Sequence, residues 1–371
     1  MTLEEAEVRR RVVEAGHKLV ELGLVARTWG NLSARLSLGA FVITPSGRAY
    51  ETLLPEDLVT VSMADGKPLS GGRPSSEKGI HNAVYRLRPE VGFVIHTHQD
   101  CASAVGVTGR NLEHPEDPAL GECVPCAAYG MPSTKKLCAA VTAAVSDYPE
   151  SNAFLMRHHG ALLLGRTEEE AFLAAQALER VCAARLPEIP AGAVRDWGDS
   201  VRQGDAFLLR INGTETRYTL NGNALPPEAA LHAAIYRTGG ETCILQARDS
   251  AVASISRGGG PLRPMLDDLA QIAGEDIRCA NPAVPSDVAK KLKGRNAVLL
   301  RSAGALCTGR TESDAEAVRT ILQKDCRAQL FAAGVPGVRP LKRTDAQLQR
   351  LFYTLKYAKR KQEGGKECGK D

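Results

Sequence analysis

Two histidines one residue apart follow an apolar run in the segment VIHTH, residues 94–98. Side chains alternate between the two faces of a β-strand, so His96 and His98 point to one side and can reach the same ion. A second strand-like segment carries the pair His158 and His159, of which only one can face that ion. Three neutral imidazoles with one open coordination position are typical of catalytic zinc. The spacing therefore predicts a metal centre.

A carboxylate and two hydroxyls stand at the start of a candidate helix, in SSEKGIHNAVYRLRP, residues 75–89. The positive end of a helix dipole, with its free N–H groups, favours a phosphate beside Ser75 and Ser76. Glu77 could move a proton if it lies near the metal ion. The alternative is ordinary N-capping with an acidic first turn.

The chain repeats itself. GIHNAVYR at 79–86 recurs as ALHAAIYR at 230–237, and NAFLMRHHGALLLGRTEEEAF at 152–172 recurs as NAVLLRSAGALCTGRTESDAE at 296–316. The order of these segments is kept. Two halves derived from one fold are therefore predicted.

The second copy separates residues needed for folding from residues needed for chemistry. Anchoring the repeat on Asp100 and Asp249 places His96 opposite Leu245 and His98 opposite Ala247, and the histidine pair at 158–159 opposite Ser302 and Ala303. The histidines that could bind metal are thus lost, whereas the neighbouring Arg, Gly and "GRT" residues are kept. His81 keeps a counterpart, His232, and is predicted to be structural. PSSE at 74–77 becomes LPPE at 225–228, which suits a helix start but loses the hydroxyls.

Helices packed on a sheet are predicted from the alternation of segments, which gives an α/β class. The predicted strands are 40–47, 91–98 and two strands within 153–165, and the predicted helices include 75–89 and 167–185. Domains are predicted at 1–186 and 199–334. A Pro- and Gly-rich linker at 187–198 joins them, and a helix with a basic end follows at 335–371.

Composition limits the classes of partner and compartment. The 371 residues carry a net charge of +4, which is too small to indicate nucleic acid, and no apolar run is long enough for a membrane span. The N-terminal segment lacks the apolar core of a signal peptide, so a cytoplasmic protein is expected. Ten scattered cysteines indicate thiols rather than disulfides. Cys123 and Cys126 have metal or redox spacing, but two buried residues beside a strand are the simpler interpretation.

Five motifs together resemble the class II aldolase/adducin family, and within it the L-fuculose-1-phosphate aldolases. They are WGNLSARL (29–36), ITPSG (43–47), PSSE (74–77), VIHTH (94–98) and RHHG (157–160), and VPCAAYGMPSTKKL (124–137) resembles the segment that carries the family's catalytic tyrosine. The resemblance covers about residues 8–185 and implies a three-layer α/β/α fold with a mostly antiparallel central sheet. The second half looks like the same fold without its site, so the fold is predicted to be duplicated in tandem.

The resemblance implies a role for each matching residue. His96, His98 and His159 match the metal ligands, and Glu77 matches the carboxylate that binds the resting metal and acts as base. Tyr129 matches a proton donor that reaches a neighbouring subunit's site. The residues that match the phosphate pocket are Gly30, Asn31, Ser46, Gly47, Ser75 and Ser76. The implied cofactor is Zn²⁺ or another divalent metal, one ion per chain, in the first half only.

The implied reaction is cleavage of a ketose 1-phosphate, such as L-fuculose 1-phosphate, into dihydroxyacetone phosphate and an aldehyde. Three other reactions occur in the family: 4-epimerisation, dehydration and decarboxylation. A non-enzymatic adducin-like scaffold is the competing class, and it describes the second half well. The implied partner is a small sugar phosphate, with no nucleic acid and no membrane.

The family's four-fold tetramers imply a homo-oligomer, in which two tandem chains form a pseudo-tetramer. Tyr129 falls opposite Pro282, so the second half lacks that donor. A tail tyrosine, Tyr353 or Tyr357, is an alternative donor.

Overall fold

The computed structural model describes residues 2–25, 29–70, 72–190, 192–222 and 224–367, with side chains up to residue 355. The chain divides into two units, Met1–Leu186 and Pro187–Asp371. No helix in the described residues has an apolar stretch long enough to cross a bilayer.

The first unit contains five helices and nine strands among its described residues. The helices are α1 (Leu3–Glu21), α2 (Lys78–Leu87), α3 (Asp100–Gly106), α4 (Lys135–Asp147) and α5 (Glu168–Ala183). The strands are β1 (Asn31–Arg35), β2 (Ala40–Ile43), β3 (Val59–Ser62), β4 (Phe93–Thr97), β5 (Leu112–Glu113), β6 (Cys123–Val124), β7 (Cys126–Ala127), β8 (Ala153–Met156) and β9 (Gly160–Gly165). Seven strands form one sheet in the order β3-β2-β1-β4-β9-β8-β7, and β5 pairs with β6 in a small separate sheet.

This sheet is antiparallel except for the parallel pair β7 and β8, which confirms the mostly antiparallel sheet. Strands β4, β8 and β9 are buried along their whole length, as expected when both faces are covered. On one face, Val94 and Leu162 pack with residues of α2 and α4. The alternating Ile95 and Leu163 are equally buried and face the other side, where α1 contacts β1 and β2, and α5 contacts β4 and β9. The result is three layers, α/β/α.

The second unit repeats this plan. Its helices are α6 (Pro227–Thr238), α7 (Ser250–Arg257), α8 (Asp267–Ala273), α9 (Pro285–Leu292), α10 (Glu312–Ala333) and α11 (Arg343–Glu367). Its strands are β10 (Asp199–Gln203), β11 (Ala206–Ile211), β12 (Thr214–Thr219), β13 (Cys243–Ala247), β14 (Cys279–Ala280), β15 (Ala297–Leu300) and β16 (Ala305–Gly309). The strand order β12-β11-β10-β13-β16-β15-β14 matches the first sheet position by position, which confirms the tandem duplication.

The strand registers correct one prediction about the repeat. His96 pairs with Leu162, and Gln246 pairs with Leu306 at the corresponding place in the second sheet. His96 therefore corresponds to Gln246 rather than to Leu245, and His98 corresponds to Arg248 rather than to Ala247. The one-residue error arose because Asp249 is the N-cap of α7, whereas Gln99 is the N-cap of α3 and Asp100 is its first residue.

Candidate metal and active site

His96, His98 and His159 form one buried cluster. Their ring centroids lie 4.8 to 5.0 Å apart, and their possible ligand atoms all lie within 4.8 Å of one another. The three side chains are at most 8% exposed. His96 lies near the end of β4, where it pairs with Leu162 of β9, and His98 follows β4 on the same side. The structure therefore brings together the three histidines that the resemblance implied.

A tight turn between β8 and β9 selects His159 over His158. His158 has a φ of 63°, in the left-handed region, and its ring lies edge-on to Tyr129 at 5.6 Å between centroids. Gly160 follows because a Cβ there would lie 2.2 Å from the carbonyl oxygen of Thr97. The same turn recurs in the second unit, where Ser302 has a φ of 56°. The turn therefore forms without histidines, and it is a feature of the fold in both units.

The carboxylate of Glu77 lies among the histidines. Its Oε2 is 3.2 Å from Nε2 of His96, and its Oε1 is 3.3 Å from Nε2 of His159. Glu77 is the N-cap residue of α2, but its side chain caps no helix N–H. Burial acts to raise the pKa of Glu77, but the charges and hydrogen bonds of His96 and His159 outweigh burial and hold it well below the usual value. Positive charge on these two imidazoles thus keeps the carboxylate ionised, and a cation held by neutral imidazoles would do the same.

The hydrogen bond on the far side of His96 shows that this cluster suits a cation. Nδ1 of His96 lies 2.9 Å from the carbonyl oxygen of Ala161, which can only accept, so Nδ1 carries the proton. In the neutral ring, Nε2 then presents a lone pair to the Glu77 carboxylate and to Nε2 of His98, at 3.1 Å. A divalent ion between the two Nε2 atoms and the Glu77 carboxylate would interact favourably with all three groups.

Four of the six residues expected to bind phosphate, Ser46, Gly47, Ser75 and Ser76, lie in two loops beside this cluster, and Gly30 and Asn31 lie at the start of β1. An isolated bridge between Pro45 and Pro74 joins the loops. The backbone N–H groups of Ser46 and Ser75 already donate to Arg73 and Thr44 carbonyls, at 3.0 and 3.1 Å. Phosphate contacts from these two serines would therefore come from their hydroxyls.

The remaining pocket residues have distinct surroundings. Gly30 and Gly47 have φ values of 88° and 74°, and a Cβ on Gly30 would lie 2.6 Å from the backbone oxygen of His96. The hydroxyl of Ser75 accepts from the N–H of Glu77 at 3.2 Å. Asn31 is buried, and its side-chain NH₂ donates to Oε2 of Glu77 at 3.3 Å.

Two contacts in the site were not predicted from the sequence. Ser133 donates to or accepts from the hydroxyl of Ser76 at 2.8 Å, which adds the loop before α4 to the phosphate rim. His81 bonds through Nε2 to Oδ1 of Asn31, so the histidine predicted to be structural also reaches the site. The segment shared by Ser133 and Tyr129 was the only sequence signal for the first contact, and nothing in the pattern signalled the second.

The corresponding place in the second unit is filled by protein groups. Gln246 accepts from the N–H of Trp197 at 2.8 Å and donates to the carbonyl of Ala303 at 3.1 Å. Glu228, the counterpart of Glu77, pairs with Arg195. Tyr129 corresponds to Pro282, because β7 and β14 have the same register on β8 and β15. The groups that correspond to His96 and Glu77 thus bind other protein groups of the second unit.

The paired cysteines 123 and 126 do not form a metal site with a third ligand in the described residues. Both are free thiols. Burial raises the pKa of Cys123 to about 11, with Glu113 adding to the effect, and burial raises that of Cys126 to about 12. Neither thiol has the low pKa of a reactive cysteine.

Comparison with known proteins shows one family for both units. The profile of the "Class II Aldolase and Adducin N-terminal domain" matches residues 10–186 and again 198–330. A 5-methylthioribulose-1-phosphate/5-deoxyribulose-1-phosphate aldolase from Escherichia coli O45:K1 (strain S88 / ExPEC) is 34% identical over 171 residues, which cover 45% of this chain and 78% of the relative. The L-fuculose phosphate aldolase of Escherichia coli K12 is 31% identical over 180 residues, which cover 48% of this chain and 81% of the relative.

A third relative has a different activity. The L-ribulose-5-phosphate 4-epimerase UlaF of Salmonella paratyphi C (strain RKS4594) is 44% identical over 117 residues, which cover 31% of this chain and about half, 49%, of the epimerase. The two profile matches together span most of the sequence, and the two sheets have one strand order. The chain therefore belongs to the class II aldolase and adducin family and carries the family's domain twice.

Proposed function

We propose that the first unit is a metal-dependent enzyme that cleaves a ketose 1-phosphate, such as L-fuculose 1-phosphate, into dihydroxyacetone phosphate and an aldehyde. The observation that supports this most strongly is the position of Glu77. Its carboxylate faces two imidazoles, 3.2 and 3.3 Å away, and Nδ1 of His96 donates to the Ala161 carbonyl, so Nε2 of the neutral ring would be available to an ion beside the carboxylate. A base beside a cation site is what proton transfer next to a carbonyl needs.

His96, His98 and His159 would hold the ion, and Glu77 would complete the set in the resting enzyme. A bound divalent ion, Zn²⁺ or another, would supply a Lewis acid for the oxygen on which negative charge develops. Neutral imidazoles suit this task because they leave the ion its full charge. We place one ion per chain, in the first unit, because Gln246 and Ala303 occupy two of the corresponding positions in the second.

The proton transfers fall to Glu77 and Tyr129. In cleavage, Tyr129 would accept the proton of the C4 hydroxyl while the C3–C4 bond breaks, and the electron pair of that bond moves toward the C2 oxygen. The aldehyde would leave, and Glu77, which would have to enter this step protonated, would give its proton to C3 to form dihydroxyacetone phosphate. The proton accepted by Tyr129 would return to solvent, and Glu77 would take up another before the next cleavage, so the two transfers balance. In the reverse direction Glu77 removes that proton and Tyr129 donates its own.

The phosphate would be bound by the two loops that meet at the Pro45–Pro74 bridge. Ser75 and Ser76 precede α2, and the positive end of the helix dipole favours an anion there. Ser46, Gly47, Gly30 and Asn31 complete the proposed pocket.

A 4-epimerase is the second candidate reaction. The specific observation in its favour is the 44% identity to an L-ribulose-5-phosphate 4-epimerase, which is higher than the identity to either aldolase but extends over fewer residues. Both reactions would use the same ion and the same base region. They differ in outcome, because only the aldolase releases a three-carbon product.

For the whole chain we propose a catalytic domain at 1–186, a linker at 187–198, a domain without metal ligands at 199–334 and a C-terminal helix with a basic tail at 335–371. The end of the proposed linker packs into the second unit, where Asp196 pairs with Arg248 at 2.7 Å and Trp197 is 4% exposed. We also propose that the protein acts in the cytoplasm on a small sugar phosphate and assembles as a dimer of tandem chains.

Two measurements test the proposal. Metal analysis of the purified chain should show about one divalent ion per chain, as expected for a single three-histidine site. A panel of ketose 1-phosphates and pentulose 5-phosphates can be assayed for both dihydroxyacetone phosphate and epimerised product. We expect release of dihydroxyacetone phosphate. Epimerised product alone would establish the second candidate, and a chain without metal and without turnover would indicate a scaffold.

A further inference from the structure

A chain of buried polar groups runs from the core of the first unit to Glu77. The hydroxyl of Ser33 lies 2.8 Å from the hydroxyl of Tyr85 and 2.6 Å from Nδ1 of His81. Nε2 of His81 bonds to Oδ1 of Asn31, whose NH₂ donates to Oε2 of Glu77 at 3.3 Å. All five residues are buried, so these bonds are sheltered from water.

The second unit contains the inner part of this chain without the outer part. Ser200, His232 and Tyr236 repeat the geometry, with the serine hydroxyl 2.6 Å from Nδ1 and 2.7 Å from the tyrosine hydroxyl. Nε2 of His232, however, lies 3.0 Å from the carbonyl oxygen of Trp197. Strand register places Gly198, two residues before Ser200, where the first unit has Asn31, two residues before Ser33. The serine, histidine and tyrosine thus belong to the fold.

The second unit also assigns the proton on the histidine. A backbone carbonyl can only accept, so His232 carries its proton on Nε2, and Nδ1 accepts from Ser200. Nδ1 of His81 has the same partner at the same distance, so His81 also carries its proton on Nε2. That N–H must be accepted by Oδ1 of Asn31. The amide of Asn31 is then oriented with its NH₂ toward Glu77.

We propose that His81 is a positioning residue that fixes the amide of Asn31 and, through it, the carboxylate of Glu77. The proposal deepens the proposed function, because it concerns the residue that would act as base and metal ligand. Without the N–H of His81, the amide could turn over and present its oxygen to the carboxylate. Two acceptors would then face each other, and the carboxylate would be displaced. Glu77 and His81 lie one turn apart at the start of α2, so the helix places both groups.

Matched variants separate this role from a merely structural one. His81→Asn and His232→Asn remove equivalent buried histidines, so both should lower the melting temperature by similar amounts. The shorter amide can still accept from Ser33 or Ser200 but does not reach the partner of Nε2. Only His81→Asn should weaken metal binding and kcat, on the order of 10- to 100-fold, as is typical for loss of a group that orients a metal ligand. Metal affinity is the decisive readout, because Asn31 also belongs to the proposed phosphate pocket and KM would report that pocket too. Equal effects of the two variants on metal affinity would overturn the proposal.

Coupling between His81 and Asn31 is the second readout. Asn31→Ala should weaken metal binding by a similar factor, and the double variant His81→Asn/Asn31→Ala should be no worse than Asn31→Ala alone. Multiplied effects would show that His81 acts by another route. Metal titration needs no substrate, so these outcomes remain readable even if no sugar phosphate is turned over and the proposed reaction fails.

A third readout uses the chain with His81 intact, and it needs only the His232→Gln variant to assign the signals. In ¹⁵N-histidine NMR spectra of the wild-type chain, two buried neutral rings should carry the proton on Nε2, and His232→Gln should remove one of them. Finding the remaining ring protonated on Nδ1 would contradict the assigned direction of the hydrogen bonds and with it the positioning role.

Discussion

The two buried histidines of the duplicated triads should make each unit sensitive to acid. Burial lowers the pKa of His81 to about 3, and the charge of His96 acts in the same direction. Burial also lowers the pKa of His232 to about 4, although its bond to the Trp197 carbonyl and the charge of Glu228 oppose this. In each neutral ring Nε2 carries the proton, and Nδ1 accepts a hydrogen bond from a serine hydroxyl. A second proton on Nδ1 would break that hydrogen bond.

The direction and size of the effect follow from linkage. In the unfolded chain a histidine takes up a proton near its ordinary pKa of about 6.5, whereas the folded ring stays neutral to a much lower pH. Between these values the unfolded state binds more protons, so stability is fully present above about pH 6.5 and falls as the pH falls. Each pH unit below 6.5 costs about 1.4 kcal/mol, and the loss from one histidine at about pH 5 is therefore about 2 kcal/mol.

One tryptophan in each unit allows the effect to be measured separately. Trp29 lies in the first unit and Trp197 in the second. In a Trp197→Phe background, urea unfolding followed by Trp29 fluorescence would give the free energy of unfolding of the first unit with His81 and with His81→Gln. The glutamine variant should be less stable near neutral pH, and its deficit should shrink by about 2 kcal/mol at about pH 5, because glutamine takes up no proton.

The comparison of variants removes the contributions of other titrating groups. Titrating groups far from His81 are the same in both chains, so their contributions cancel in the difference. In the second unit, burial raises the pKa of Asp325 to about 7, so protonation of Asp325 stabilises the folded unit as the pH falls. This contribution is the same with His232 and with His232→Gln, so it also cancels in the difference. A deficit that stays constant from neutral pH to about pH 5 would refute the reasoning, because it would show that the folded ring titrates normally.

Three further predictions concern the proposed site. His96→Ala should keep the fold, because Gln246 shows that the position does not need histidine, but it should lose metal and turnover. His158→Ala should keep the metal. Mass spectrometry measures the bound metal, and an ion retained by His96→Ala would show that the proposed ligand set is wrong. Glu77→Gln should fold and bind substrate but lose at least about 100-fold in kcat, as is typical for loss of a general base, and full activity would point to another base. Glu77→Gln and Tyr129→Phe chains should each be inactive, but mixed oligomers formed by co-expression should regain part of the activity if Tyr129 serves a neighbouring chain. Verified hybrids without activity would argue against a shared site. Loss of activity on truncation after Gly334 would assign the donor role to the tail.

Much of the fold could be predicted from local patterns. The apolar runs predicted the central strands. The segment VIHTH lies at the end of β4 and one residue beyond it, and both histidines are on one side because side chains alternate along any strand. Thr167 caps α5 by accepting from the N–H of Glu170 at 3.3 Å, as the capping residues indicated. The strand order was not readable from these patterns, since it depends on contacts between segments far apart in sequence.

The parts of the site that escaped prediction are those set by tertiary contacts. His81 has a counterpart in the repeat and was interpreted as structural, which describes its serine and tyrosine bonds but not its bond to Asn31. That bond depends on which residue β1 places opposite α2, and the sequence alone does not show this. The repeat was misaligned by one residue near His96 for a similar reason. Identical aspartates were matched, although one caps a helix and the other lies inside one.

The second unit shows how a site can be lost while its fold is kept. Glu228, the counterpart of Glu77, is only half-buried and has a partner of its own. Glu228 pairs with Arg195, and the guanidinium of Arg195 also lies over the Trp197 ring at 4.7 Å. Gln246 binds backbone groups in the place of His96. Restoring a histidine at Gln246 alone would therefore break these hydrogen bonds without rebuilding a site, because Ala303 and Gly198 would still lack the side chains that His159 and Asn31 provide.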